Sequence, residues 1–314
     1  MEDVTVDLEQ HRGYLMGLAY RMLGELAEAE DVLQDAYMRW HGADRQAIDN
    51  PRAFLATTVT RLCLDRLKEA RRRRETYVGA WLPEPLIAEH SLSAEAAAAL
   101  VDDVSFALLM ALERLSPLER AAFLLHDVFD MEFDEIAQVL GRSAAACRQL
   151  ASRARANVRA ARPRFPVAPE ESARLAEAFF TASRSGDTAA LQNLLAETAV
   201  FHSDGGGRKL AALRPIVGVD KLCRLFAGLA RKARGAPPLW RHDTTINGLP
   251  GFVTVEYDGT LQTTALEIAD GRIAAIYVVR NPDKLTHLLP LLPAAVRARL
   301  TPPRIKERNR ALRQ

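Results

Sequence analysis

With 314 residues, 48% hydrophobic and 26% charged, the chain has room for two or three soluble globular domains. Its net charge of +2 hides a segregation of acidic from basic stretches, which favours separate surfaces for separate partners. Cys63, Cys147 and Cys223 lie far apart with no zinc-ligand spacing, so a disulfide framework and a metal site are not expected.

Residues 7–41 read as two helices. Leu15, Leu18, Ala19, Met22 and Leu23 share one face of the first, and Gly24 breaks it. The second, from about Ala27 to His41, turns Ala29, Val32, Leu33, Ala36, Tyr37 and Trp40 inward and carries Glu28, Glu30, Asp31, Gln34 and Asp35 outside. An acidic helix repels phosphate and suits a basic protein partner. After a polar loop, Asn50 before Pro51 is a helix start. That helix runs to about Arg74 and ends in Arg66, Lys68 and four consecutive arginines, Arg71–Arg74. Helix C-termini favour cations, but so dense a run exceeds what capping needs and suits a phosphate backbone.

Residues 76–95 form a linker containing Trp81-Leu82-Pro83-Glu84-Pro85, whose prolines oppose helix. An apolar Trp-Leu pair in a linker calls for a covering surface. Helix resumes near Ala94, and Ser116-Pro117-Leu118-Glu119 is a capping box with proline at the first helical position. From Met131 to Ala160 two helices flank a turn at Gly141, with Ser143 as N-cap of the second. Cys147, Leu150, Ala151, Ala154 and Val158 make its inner stripe; Arg148, Gln149, Ser152, Arg153, Arg155 and Arg159 make a basic outer face. Apolar inside and cationic outside, behind a short turn, is the layout of a helix-turn-helix recognition helix.

The proline-rich stretch 163–169 marks a boundary. Beyond it come helices at about 170–184, 187–196 and 218–232. Alternating segments follow: Leu239–Ile246, Phe252–Tyr257, Leu261–Ile268 and Arg272–Val279, punctuated by 247–251, Asp258-Gly259 and Asp270-Gly271. This predicts helices on an antiparallel meander, an α+β domain. The basic, polar end of the chain is expected to be poorly ordered. No signal segment and no bilayer-length apolar run is read, so the expected location is cytoplasmic, without membrane contact.

In this order the pieces resemble an extracytoplasmic-function (group 4) sigma factor of the sigma-70 class with a fused SnoaL-like C-terminal domain. Region 2 is carried by residues 29–37 and 54–61, region 4 by Phe133–Ala137 through Ala154-Arg155. Trp81–Pro85, Asp204-Gly205-Gly206-Gly207-Arg208 and Asn281-Pro282-Asp283-Lys284-Leu285 tie the halves to one subfamily. The expected fold is two all-α domains followed by an α+β SnoaL-like cone. The expected divisions are 1–75 (region 2), 76–95 (linker), 96–162 (region 4), 163–169 (linker), 170–289 (SnoaL-like) and 290–314 (tail).

The resemblance implies the partners: core RNA polymerase, through its β′ clamp and β subunit, and promoter DNA. Asp31, Gln34 and Asp35 would dock on the clamp. Asp49, Asn50 and Arg52 would line a pocket for an unstacked base of the −10 element, with Arg61, Arg66, Arg71 and Arg72 on phosphates. Ser143, Ala145, Arg148, Gln149, Ser152, Arg153 and Arg155 would face the −35 element. Arg148 and Gln149 would read bases; Arg153 and Arg155 would position the backbone.

SnoaL-like folds include enzymes. The ionisable candidates are His202, Asp204, His242 and Glu256, but His202 and Asp204 sit beside a triple glycine, where Asp suits a turn cap, and His242 and Glu256 suit outward strand positions. No catalytic residue, cofactor or metal is assigned, while a small-molecule ligand for a pocket stays open. A regulatory role has a physical motive: the domain can cover Trp81-Leu82, with the glycine run allowing close backbone approach and Arg208 available to Glu84. A clasped linker would set the spacing of the two promoter readers. The alternatives are a ligand-responsive helix-turn-helix regulator and a SnoaL-like enzyme fused to a DNA-binding module.

Overall fold

In the computed structural model the described residues are 3–44, 48, 50–75, 77–87, 105–159 and 168–302. They form two compact units, one of residues up to 75 with 105–159, the other of 77–87 with 168–302.

The first unit is helical. α1 (Asp3–Leu23) ends at Gly24, whose φ of 75° suits glycine. α2 (Leu26–His41) buries Leu26, Ala29, Val32, Leu33, Ala36 and Trp40, one stripe at helical spacing. Tyr37, read from sequence as core, is half-buried and stacked on His41. α3 (Pro51–Glu75) opens with Asn50 Oδ1 accepting the Ala53 N–H at 3.1 Å. α4 (Phe106–Glu113) is capped by Ser105, and α5 (Pro117–Phe123) by the expected box of Ser116 and Glu119. A π-helical turn, Leu124–Val128, leads on to α6 (Phe133–Leu140). Gly141 takes the left-handed conformation, and Ser143 Oγ caps α7 (Ala144–Arg159) through the Ala146 N–H at 3.2 Å.

The second unit is α+β. α8 (Pro169–Ser185) and α9 (Thr188–Leu194) precede β1 (Leu195–Asp204) and the short β2 (Ile216–Val217). α10 (Val219–Ala233) then leads to β3 (Trp240–Ile246), β4 (Leu249–Val255), β5 (Leu261–Ala269) and β6 (Arg272–Val279). The strand order is β2-β1-β6-β5-β4-β3. The expected meander is β3 to β6, but the sheet is larger and mixed, because β1 runs parallel to β6. β1 escapes the sequence reading because it follows α9 with no turn residue between them. The helix expected over 187–196 stops at Leu194, and the next residue begins the strand. The β3–β4 turn is also tighter than expected: Asn247 and Gly248, both at positive φ, join the strands directly, and β4 starts at Leu249.

One sheet face meets the helices. Phe201, Phe252, Leu266, Ile276 and Val278 pack with Phe179, Leu222 and Phe226 in a core whose aromatic rings meet edge to face. Strand alternation turns His202 and Asp204 to the other face. There the segment 77–87 crosses the sheet. The chain after β6 joins it with two 3-10 turns, Pro282–Lys284 and Thr286–Leu291, and then α11 (Ala294–Arg297).

Candidate nucleic-acid and linker-binding sites

The inner stripe of α7 is as its spacing dictates: Cys147, Ala151, Ala154 and Val158 are buried and Leu150 half-buried. Ser143, Ala145, Arg148, Gln149, Ser152 and Arg153 are exposed. The Arg148 guanidinium lies 5.3 Å from the Phe133 ring, a contact that steadies its stem while leaving its donors free to turn outward. Arg155 pairs with Asp127 at 2.6 Å, so it reaches another anion only by exchanging partners.

The residues assigned to the −10 side are spread along α3. Asn50 caps the helix with its side chain. Arg52 covers the Tyr14 ring at 4.3 Å. Arg61 donates to the main-chain oxygens of Gln138 and Val139, at 3.1 and 3.3 Å. Arg66 reaches back to Asp35 at 3.0 Å and Asp31 at 3.6 Å, so a proposed phosphate contact is tied to the acidic face of α2. Asp31, Gln34 and Asp35 are all exposed on that face. Asp49 and the side chains of Arg71 and Arg72 lie outside the described residues.

In the α+β unit the three short motifs converge. Asp204, fully buried at the end of β1, accepts four hydrogen bonds. They come from the Tyr77 hydroxyl (2.6 Å), the Leu82 N–H (3.0 Å), the Gly206 N–H (2.9 Å) and the Lys284 ammonium (2.9 Å). A carboxylate so saturated has its desolvation offset. Lys284, also buried, donates to the Leu82 carbonyl and lies 4.1 Å from the Trp81 ring centre. Asn281 donates to the Tyr77 oxygen at 3.0 Å and caps the Pro282–Lys284 turn through the Asp283 N–H. Gly206 sits at φ 58°, and a side chain there would collide with Asn281.

Further along, Leu86 exchanges main-chain and side-chain hydrogen bonds with Asn247 at 2.8 and 3.0 Å, and Ile87 bridges Ile246. His287 lies 2.9 Å from the Pro85 oxygen and 2.8 Å from Glu84. Leu82 to Ile87 are buried without interruption, Pro83, Glu84 and Pro85 among them. Recognition runs mostly through the backbone of the segment, with Leu82, Leu86 and Ile87 as apolar anchors.

Two family profiles match this chain: Sigma-70 region 2 over residues 8–73 and Sigma-70 region 4 over residues 105–158. The ECF RNA polymerase sigma factor SigJ of Mycobacterium tuberculosis is 39% identical over 294 residues, covering 89% of this chain and 92% of that protein. This chain belongs to the extracytoplasmic-function (ECF) sigma factors. The probable ECF RNA polymerase sigma factor SigI of the same species is 32% identical over 300 residues, 91% of this chain and 96% of that one. The crystal structure of Mycobacterium tuberculosis SigJ aligns with a TM-score of 0.74 at 36% identity, covering 90% of this ECF chain and 98% of that one.

Two sequence expectations about side chains of this ECF factor are corrected. Arg208 pairs with Asp283 at 2.9 Å, leaving Glu84 to His287. Arg208 follows the glycine turn and points towards the chain after β6. Glu256 is buried, not outward: both its oxygens meet Arg184, and the Thr254 hydroxyl donates to it at 2.7 Å. Of the other ionisable candidates, His202 stacks on Tyr277, His242 stacks on Trp240, and Asp204 holds 77–87. The four do not gather at one centre. Tyr77, Asn247 and His287 belong to the linker site but were not read from sequence. Asn247-Gly248 carried only a turn signal, and the other two stand outside the recognisable motifs.

Proposed function

We propose that this sigma factor directs core RNA polymerase to promoters, with its C-terminal α+β unit regulating that step in cis through the segment between regions 2 and 4. The observation that carries the reading is the buried Asp204–Lys284 pair, which binds the Leu82 N–H and C=O at once. Holding the segment fixes how much chain is free between the two promoter readers. The acidic face of α2, with Asp31, Gln34 and Asp35, docks on the β′ clamp, and region 4 meets the β subunit. The basic face of α7 enters the −35 major groove, and the start of α3 takes the −10 strand.

The α+β unit acts as a regulatory module and not as a catalyst. Its ionisable candidates are dispersed and partnered, and phenylalanines fill the core between sheet and helices. Among the described residues, no helix is long and apolar enough to cross a membrane.

Promoters for the test come from genomic fragments enriched by the reconstituted holoenzyme. Core polymerase pull-down and run-off transcription on such a promoter are then compared for the full chain and residues 1–168. Retention on core, with transcription altered by the truncation, supports the reading. Failure to bind core contradicts the sigma role, and identical output from both chains contradicts regulation in cis.

A further inference from the structure

Arg148, Arg153 and Arg155 lie on the outer side of α7, but they are not held alike. Arg153 is exposed. Arg148 lies against the Phe133 ring, and Arg155 is bonded through Nε to Asp127. Both holding groups come from one short stretch, the π-helical turn Leu124–Val128 and the start of α6.

The local chain explains why they point that way. Ala121 to Leu125 are buried without interruption. The turn then widens: the Phe129 N–H donates five residues back to the Leu124 oxygen at 3.0 Å, and the Met131 N–H donates to the Leu125 oxygen at 2.8 Å. A π-helical turn carries an extra residue, and such turns often mark functional sites. Here His126 and Asp127 leave the buried row: His126 is half-buried and Asp127 is exposed. His126 Nδ1 lies 3.0 Å from the Met131 oxygen, and its ring centre is 4.0 Å from that of Phe133. Phe133 itself opens α6, where a capping box joins Glu132 and Glu135. The ring under Arg148 is thus backed by His126 and fixed by its helix start.

The two contacts act on different kinds of DNA binding. A guanidinium must give up rotamer freedom before it forks onto a base edge. A ring that already holds its stem lowers that loss, and an exposed cation–π contact is weak enough to let the head turn. Phe133 therefore favours a contact that depends on sequence. Asp127 works on Arg155 in the opposite sense. A guanidinium already met by a carboxylate gives less to phosphate, whose attraction is the same for every sequence. One contact strengthens base reading and the other weakens binding to any duplex. Both raise the ratio of specific to non-specific binding.

We propose that this turn is a specificity element of the −35 reader: Phe133, backed by His126, positions Arg148 for its base, and Asp127 withholds Arg155 from phosphate. The proposal rests on the reading of α7 given above.

Holoenzyme reconstituted with each full-length variant is titrated on the enriched promoter, its single-base −35 variants and unrelated duplex, at several salt concentrations. Phe133→Leu keeps the bulk and loses the aromatic face. It should relax discrimination about two- to fivefold at the base pair where Arg148→Ala does, with the salt slope unchanged. Phe133→Tyr keeps the ring and should keep the discrimination. Asp127→Asn should tighten binding to every sequence, unrelated duplex included, and steepen the salt slope by about one. Arg155→Ala in that background should remove both gains. Unaltered discrimination with Phe133→Leu, a loss spread evenly over the panel, or the same loss with Phe133→Tyr overturns the positioning role. Unaltered affinity and slope with Asp127→Asn overturn the restraint on Arg155. If Arg148→Ala leaves every −35 position read as before, the reading of α7 fails first, and the role of Phe133 with it.

Discussion

Lys284 and Asp204 form an ion pair of 2.9 Å in which neither side chain is more than 6% exposed. The pair joins the end of β1 to the first 3-10 turn after β6, and both partners also bind Leu82. Removing one member strands a buried charge. Asp204→Ala should therefore cost about 3–5 kcal/mol in the stability of the α+β unit, and Lys284→Met a similar amount. The double variant should cost less than the sum of the two. Denaturant unfolding of the four proteins of the cycle measures this, and additive losses would show that the pair is not coupled.

Gly206 and Gly271 separate conformation from contact. Both have positive φ, 58° and 70°, but an added Cβ meets Asn281 at Gly206 and nothing within 4 Å at Gly271. Gly271→Ala should cost about 1 kcal/mol from backbone strain alone. Gly206→Ala should cost clearly more, because Asn281 must leave the Tyr77 hydroxyl. Midpoints of urea unfolding compare the two directly.

On α7 the exposed polar residues divide by role. Arg148→Ala or Gln149→Ala in the holoenzyme should lose about 1–3 kcal/mol of discrimination at one −35 position. Arg153→Ala should weaken all sequences alike and lower the salt slope of binding by about one. A panel of single-base promoter variants, titrated at several salt concentrations, tells these outcomes apart.

Asp31 and Asp35 share Arg66 as a partner. Asp35→Lys should weaken binding to core polymerase, with the loss growing as salt is lowered, since exposed charges are screened. Arg66→Met leaves both carboxylates free for another cation, so core binding should be kept or modestly improved. Pull-down across a salt series distinguishes docking through this face from docking elsewhere.

Much of this was legible in the sequence because the signals are local. Ser116 with Glu119, Asn50 with Pro51, and Gly141 with Ser143 cap the helices that their spacing announces. The stripe of α7 follows from a period of 3.6 residues. What the sequence hid is non-local. β1 has no turn residue before it and pairs in parallel with a strand at least 75 residues further on (Val200 with Ala275), so neither hairpin nor punctuation betrays it. Trp81-Leu82 announced a need for cover, and the Asp204 and Asn281–Leu285 motifs do converge on that segment. The partner choice within the motifs was not readable: Arg208 went to Asp283, and Glu84 to His287. Which of several nearby charges pair depends on turn directions that spacing does not encode.

In the proposed mechanism the α+β unit sets how much chain lies free between the promoter readers. Run-off transcription over a series of promoters differing only in the length between the −10 and −35 elements tests it most directly. The wild-type chain should show a narrow optimum. The variant Asp204→Ala with Lys284→Met, which removes both partners of Leu82, should transcribe over a broader range. The same optimum and breadth for both proteins, with the segment shown by proteolysis to be released, would mean that the α+β unit does not set the spacing.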